Sequence, residues 1–89
     1  MRAMLTVVGK DRIGIIADVC TLLAAMKINI LDISQTVMEE FLTMTMLVDT
    51  STSPIPFSEI KETMEAKSEE FGLVIHIQHE DIFNAMHKI

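Results

Sequence analysis

The run Gly9-Lys10-Asp11-Arg12-Ile13-Gly14-Ile15-Ile16-Ala17-Asp18-Val19 carries the chain from an apolar strand into an amphipathic helix through a bend that contains glycine. The first four N–H groups of a helix have no partner within it and lie at the positive end of its dipole. Such a bend therefore suits an anion, an amino-acid carboxylate for instance. The chemistry on offer is binding rather than bond breaking. The same residues also have plain structural readings: Asp11 accepts helix N–H groups at a cap whatever else is bound, and Arg12 reads as a solvated charge.

Groups for catalysis are poorly placed. His76 and His79 lie three apart on a predicted strand, so they point to opposite faces and cannot share a metal within one chain, while His87 lies beyond in the tail. Asp11, Asp18 and Asp32 fall near the first helix and second strand without a histidine, serine or cysteine spaced to act with them. Cys20, between Val19 and Thr21, reads as a small buried hydrophobe in mid-helix rather than a nucleophile. The expectation is a protein that is not an enzyme and holds neither metal nor cofactor.

The whole chain narrows the class further. Its 89 residues make one domain, and a chain of that size buries only about three-fifths to two-thirds of its unfolded surface, so help from a second copy is expected. The formal net charge is −6 and the seven Lys and Arg are scattered, which argues against a nucleic-acid surface. One cysteine excludes an internal disulfide. With no charged-then-apolar leader and no apolar run of about 18 residues, the chain is expected to be cytoplasmic and reduced, away from membranes.

Two alternating periodicities show what must position the bend. Met1 to Val8 alternates, with Ala3, Leu5 and Val7 on one face and Met4, Thr6 and Val8 on the other. From Gly14 to Met26, residues Ile15, Val19, Leu22, Leu23 and Met26 recur at three and four, one helical stripe, with Asp18 and Thr21 off it. Ile28 to Val37 is isoleucine-rich but alternates imperfectly. Phe41 to Val48 alternates well, with Leu42, Met44, Met46 and Val48 on one face, and Met38-Glu39-Glu40 forms the turn between these two strands. After a polar loop, Pro56 opens a second helix that runs to about Phe71, with core residues Phe57, Ile60, Met64 and Phe71, and Gly72 ends it. Leu73 to Glu80 is a strand with Leu73, Ile75 and Ile77 inward. Residues 80–89 form a short tail helix through Ile82, Met86 and Ile89.

The order is βαββαβ, the ferredoxin-like split βαβ arrangement of the α+β class: a four-stranded antiparallel sheet with two helices on one face. The other face, from Met4, Thr6 and Val8 across to Val74, His76 and Gln78, is left uncovered and is half apolar. The fold alone does not decide function.

The Gly9–Val19 run, followed by Asn29-Ile30 and Gln35-Thr36, resembles the ACT domain, a small ligand-binding regulatory module of amino-acid metabolism, over nearly the whole chain. Within that family it is most similar to small standalone ACT proteins and to the ACT domains of glycine-cleavage regulators, which share the Asp-Arg-x-Gly-x-x-Ala start. The resemblance implies pairing of domains, with an amino acid held between the first loop of one and the second strand of its neighbour. Carried over by position, it implies ligand contacts at Asp11, Arg12, Ile13, Gly14 and Ile15 in the loop and at Asn29 and Ile30 on the strand. Two positions depart from the pattern: Ile13 stands where proline is frequent, and Lys27-Ile28 where glycine often precedes the asparagine.

Two other functions fit the same residues. A ligand-free protein–protein interaction module needs only the pairing surface. An acylphosphatase-like hydrolase shares the fold and uses an arginine in the first loop with an asparagine on a strand, which Arg12 and Asn29 resemble.

Overall fold

In the computed structural model, which describes residues 1–10 and 14–81, the elements run β1 (Arg2–Lys10), α1 (Ile15–Ala25), β2 (Asn29–Met38), β3 (Phe41–Asp49), α2 (Phe57–Phe71) and β4 (Val74–His79). The sheet order is β2-β3-β1-β4 and every neighbouring pair is antiparallel, the expected split βαβ topology. Of the tail helix expected over residues 80–89, Glu80 and Asp81 are helical and residues 82–89 lie outside the described residues.

The alternation in β1 and β3 builds the core. Opposed residues of an antiparallel pair share a face, so Leu5 stands between Met46 and Ile77, and Val7 between Met44 and Ile75, all buried. Over that row α1 lays Ile15, Val19 and Leu23 and α2 lays Ile60 and Met64. Leu22, Phe57 and Phe71 pack at the margin, half-buried. Met26, Met44, Met46 and Met64 are buried, as expected of flexible side chains that fill gaps between a twisted sheet and its helices.

Backbone chemistry ends the elements where the residue types require. Gly72 stops α2 at φ +68, and the Leu73 N–H donates back to the Ser68 carbonyl at 3.0 Å, with the Ser68 hydroxyl accepting from Ile75 N–H at 3.0 Å. After α1 the left-handed position falls on Lys27, at φ +58. The Ile28 N–H returns to the Leu23 carbonyl at 3.0 Å, and the Thr52 hydroxyl donates to the Lys27 carbonyl at 2.7 Å, holding a conformation that a lysine adopts at a cost. The β2–β3 turn is Glu39-Glu40, closed by the Met38–Phe41 pair, with Glu39 at φ +56.

Several boundaries differ from the sequence expectation: α1 runs Ile15–Ala25 inside the expected Gly14 to Met26, Met38 belongs to β2 rather than to the turn, and β4 is Val74–His79 inside the expected Leu73 to Glu80. β1 continues through Gly9 and Lys10, which pair with Leu42 and Phe41, instead of ending at Val8. The nine residues of β3 supply ladder partners that local alternation in β1 does not reveal.

Candidate ligand site

Gly14 is the N-cap of α1, at φ +91 and ψ 0, a left-handed conformation that residues with a Cβ resist. The Asp18 N–H donates to the Gly14 carbonyl at 2.8 Å and begins the helical ladder. Among the described residues no side chain makes a capping hydrogen bond to the helix start. Ile15 is buried in the core, 2% exposed. Asp11, Arg12 and Ile13 lie outside the described residues.

Beside this helix start is a groove of about 530 Å³. One wall is α1, from Gly14 through Ile16 and Ala17 to Cys20. The other is the sheet, with Gln35 and Val37 of β2 and Leu42 of β3. The groove exists because the helix layer stops short of the sheet edge. Ile33, Gln35 and Val37 oppose Met46, Met44 and Leu42, so they lie on the helix-facing side, yet Ile33 is 42% and Val37 53% exposed. β2 is an edge strand of the sheet.

The register sets Asn29 and Ile30 of the expected site apart from the end of β1 that leads to Gly14. Asn29 pairs with Asp49, which pairs with Arg2, whereas Met38 pairs with Phe41, which pairs with Lys10. Asn29 thus opens β2 at one end of the sheet, and the chain leaves β1 toward Gly14 at the other. A nine-residue strand is roughly 26–30 Å long at ~3.3 Å per residue. Within one chain Gly14 meets Gln35 and Val37, not Asn29 or Ile30. Ile30 is half-buried against the core, and a bulge between Ile30 and Asp32 leaves Leu31 exposed.

The Asn29 end has its own electrostatics. The Ser51 N–H and hydroxyl both donate to Asp49 Oδ1, at 2.9 and 2.7 Å, and hold the Asp49 carboxyl below its ordinary range, with the N-terminal ammonium at 3.4 Å adding to the effect. His76 lies opposite Thr6 on the open face, while His79 packs against Phe57 with ring centroids 4.8 Å apart and planes tilted by 60°, so the two histidines do face opposite ways. Among the described residues no group of three or more His, Cys, Asp or Glu is gathered closely enough for a metal ion, and no helix is long and apolar enough to cross a membrane.

Cys20, Val37 and Leu42 were not among the expected site residues, and Gln35 entered only through the motif it shares with Thr36. The imperfect alternation of β2 was the available signal: an edge strand half covered by a helix has less need of an apolar residue at every inward position.

The family model for the ACT domain matches residues 2–78. The chain is 52% identical to a UPF0237 protein of Clostridium acetobutylicum over 89 residues, the whole of both chains. Its fold is similar to that of an ACT domain protein from Streptococcus pneumoniae, with a TM-score of 0.82 at 41% identity over 93% of each chain. It also shares its fold with a putative glycine cleavage system transcriptional repressor, with a TM-score of 0.73 at 24% identity, covering 86% of this chain and 44% of that one.

Proposed function

This chain belongs to the ACT domain family, and we propose that it senses an amino acid or similar small carboxylate held between two copies of itself, turning over no substrate of its own. The observation that carries this reading is the split of the expected site: the groove at the start of α1 and Asn29 stand at opposite ends of one sheet. A second copy reunites them. Two β2 edges paired antiparallel across a two-fold axis place Asn29 of the partner subunit against the Met38 end of β2, the end where the groove opens. The ligand's carboxylate then sits at the helix start. Its side chain lies along Ile16, Val37 and Leu42, and the asparagine of the other copy hydrogen-bonds its polar end. The single Cys20 fits a reduced, cytoplasmic setting.

The same split weighs against an acylphosphatase-like site in one chain. Lys10 and Gly14, which flank the loop containing Arg12, are a full strand length from Asn29.

A panel of amino acids tested for thermal stabilisation checks the proposal. A ligand at 100 times its dissociation constant adds about 2.7 kcal/mol to a protein that binds it only when folded. One amino acid should stabilise the parent, and both Val37→Lys in the groove and Asn29→Ala should lose the effect. If no amino acid stabilises the parent, the module works by protein–protein contact without a ligand. If Asn29→Ala responds like the parent, the site is contained in one copy.

A further inference from the structure

Apolar residues exposed one at a time are ordinary on a protein surface, but several here border one space. Cys20 follows Ala17 by three residues and Ile16 by four, so all three share the side of α1 that forms a wall of the groove. Ile16 and Ala17 are exposed and Cys20 is half-buried. On the sheet wall Val37 is exposed, and Leu42, opposite it in the ladder, is buried. Apart from the Cys20 thiol, Gln35 carries the one polar side chain among the described lining residues, an uncharged amide. None of those residues is a Lys, Arg, His, Asp or Glu.

We propose that this groove selects amino acids with an apolar side chain of valine's size or larger over charged and small polar ones. The inference rests on the ligand-sensing reading above and narrows its ligand class. Charge decides first. A charged side chain entering the groove would shed water without meeting an opposite charge, whereas an apolar one meets Ile16, Val37 and Leu42 and takes their surface out of water along with its own. Size acts in the same direction. The groove's volume of about 530 Å³ lies within the ~300–1,000 Å³ of small-molecule sites, and glycine or serine would leave its aliphatic wall wet. Each methylene group covered is worth about fourfold in affinity, so leucine, three carbons larger than alanine, gains on the order of 50-fold over it. Ala17 sets the upper limit. It is the smallest side chain on the helix wall, and a longer one there would fill the space that the ligand's side chain takes.

The chain's single cysteine makes the test local. Cys20 lines the groove, so a ligand seated there slows its alkylation by iodoacetamide, while a ligand bound elsewhere does not. Alkylation rates and melting temperatures are measured with valine, leucine, methionine and phenylalanine and with alanine, serine, aspartate and lysine, on the parent and on Ala17→Leu. Leucine is a good helix former and position 17 is exposed, so the variant keeps the fold, which circular dichroism checks. In the parent, leucine should both raise the melting temperature and protect Cys20, with half-protection at a concentration on the order of 50-fold below that for alanine. Ala17→Leu should lose the protection by leucine and methionine.

Aspartate, lysine or serine protecting Cys20 as well as leucine does overturns this inference and leaves ligand sensing standing. Leucine that raises the melting temperature without protecting Cys20 also overturns it, because the apolar ligand then sits outside the groove. Protection by leucine that is as full in Ala17→Leu as in the parent overturns it too, because the ligand's side chain then lies away from α1. If none of these amino acids changes either measurement, the ligand-sensing reading itself fails, and this inference with it.

Discussion

β2 and β3 are the two arms of one hairpin, of ten and nine residues, and they meet opposite fates. In β3 every second residue is buried: Leu42, Met44, Met46 and Val48. β2 sets Ile30, Ile33, Gln35 and Val37 opposite them on the same side, and only Ile30 is even half-buried. The difference lies in cover rather than composition. β3 lies between β1 and β2 with its inward residues buried, whereas β2 is an edge strand whose inward residues from Ile33 to Val37 are exposed. A strand's own pattern fixes which side of the sheet a residue faces, and a distant element decides whether that side is dry. The bare part of the helix-facing side is where the groove lies.

The contrast breaks most visibly under truncation. Met46→Ala, at a fully buried site, should cost about 2–5 kcal/mol, because it removes buried methylenes and leaves a cavity under two helices. Ile33→Ala, opposite Met46 on the neighbouring strand, should cost less than ~1 kcal/mol in dilute single chains. Urea denaturation at low and high protein concentration measures both. If the two variants lose equal stability when dilute, β2 is covered after all. If Ile33→Ala loses more as concentration rises, the edge is paired.

How much the sequence revealed divides along the same line. The alternation of Leu42 to Val48, the helical stripe from Ile15 to Met26, the Pro56 and Gly72 boundaries and the open face through Met4, Thr6 and Val8 all follow from local periodicity and backbone preference, and they stand in the structure. The length of β1, the exposure of Ile33 and Val37 and the strand-length separation of Gly14 from Asn29 depend on long-range register and on where a helix ends above a sheet. No local pattern carries that information. Gly14 is legible as the end of the bend before α1 through its place in the Asp-Arg-x-Gly-x-x-Ala motif, but its left-handed backbone is not.

That backbone alters what a substitution at the helix start reports. A φ of +91 charges any Cβ-bearing residue at Gly14 with strain, so a substitution there lowers stability whatever it does to binding. Gly14→Ala should destabilise by about 1–2 kcal/mol. Lys27→Gly, at the opposite end of α1 and at φ +58, relieves a comparable strain and should be neutral or stabilising by up to ~1 kcal/mol, the gain limited by the freedom glycine adds to the unfolded chain. Thermal melts of the two variants against the parent separate them. Movement in the same direction would show that the left-handed conformations at the two ends of α1 are not what governs these sites.

The smallest effect belongs to the Asn29 end, at Asp49. Its carboxylate accepts both Ser51 hydrogen bonds in the folded chain and loses them on unfolding, so the folded state holds the proton less tightly than the unfolded one does. Where the folded state binds fewer protons, stability rises with pH, and the contribution of a carboxyl whose pKa is lowered is present at neutral pH and lost as acid protonates it. Asp49→Asn should therefore be less stable than the parent near pH 7, and the gap should narrow as pH falls through and below the usual carboxylate range. The group is solvent-exposed, so the gap is small and should shrink further in high salt, where the N-terminal ammonium is screened. Urea midpoints of parent and variant between pH 7 and pH 3 give the comparison directly. A gap that widens on acidification would mean that Asp49 is held by neither Ser51 nor the N-terminus, and that the turn after β3 is ordered by something other than its carboxylate.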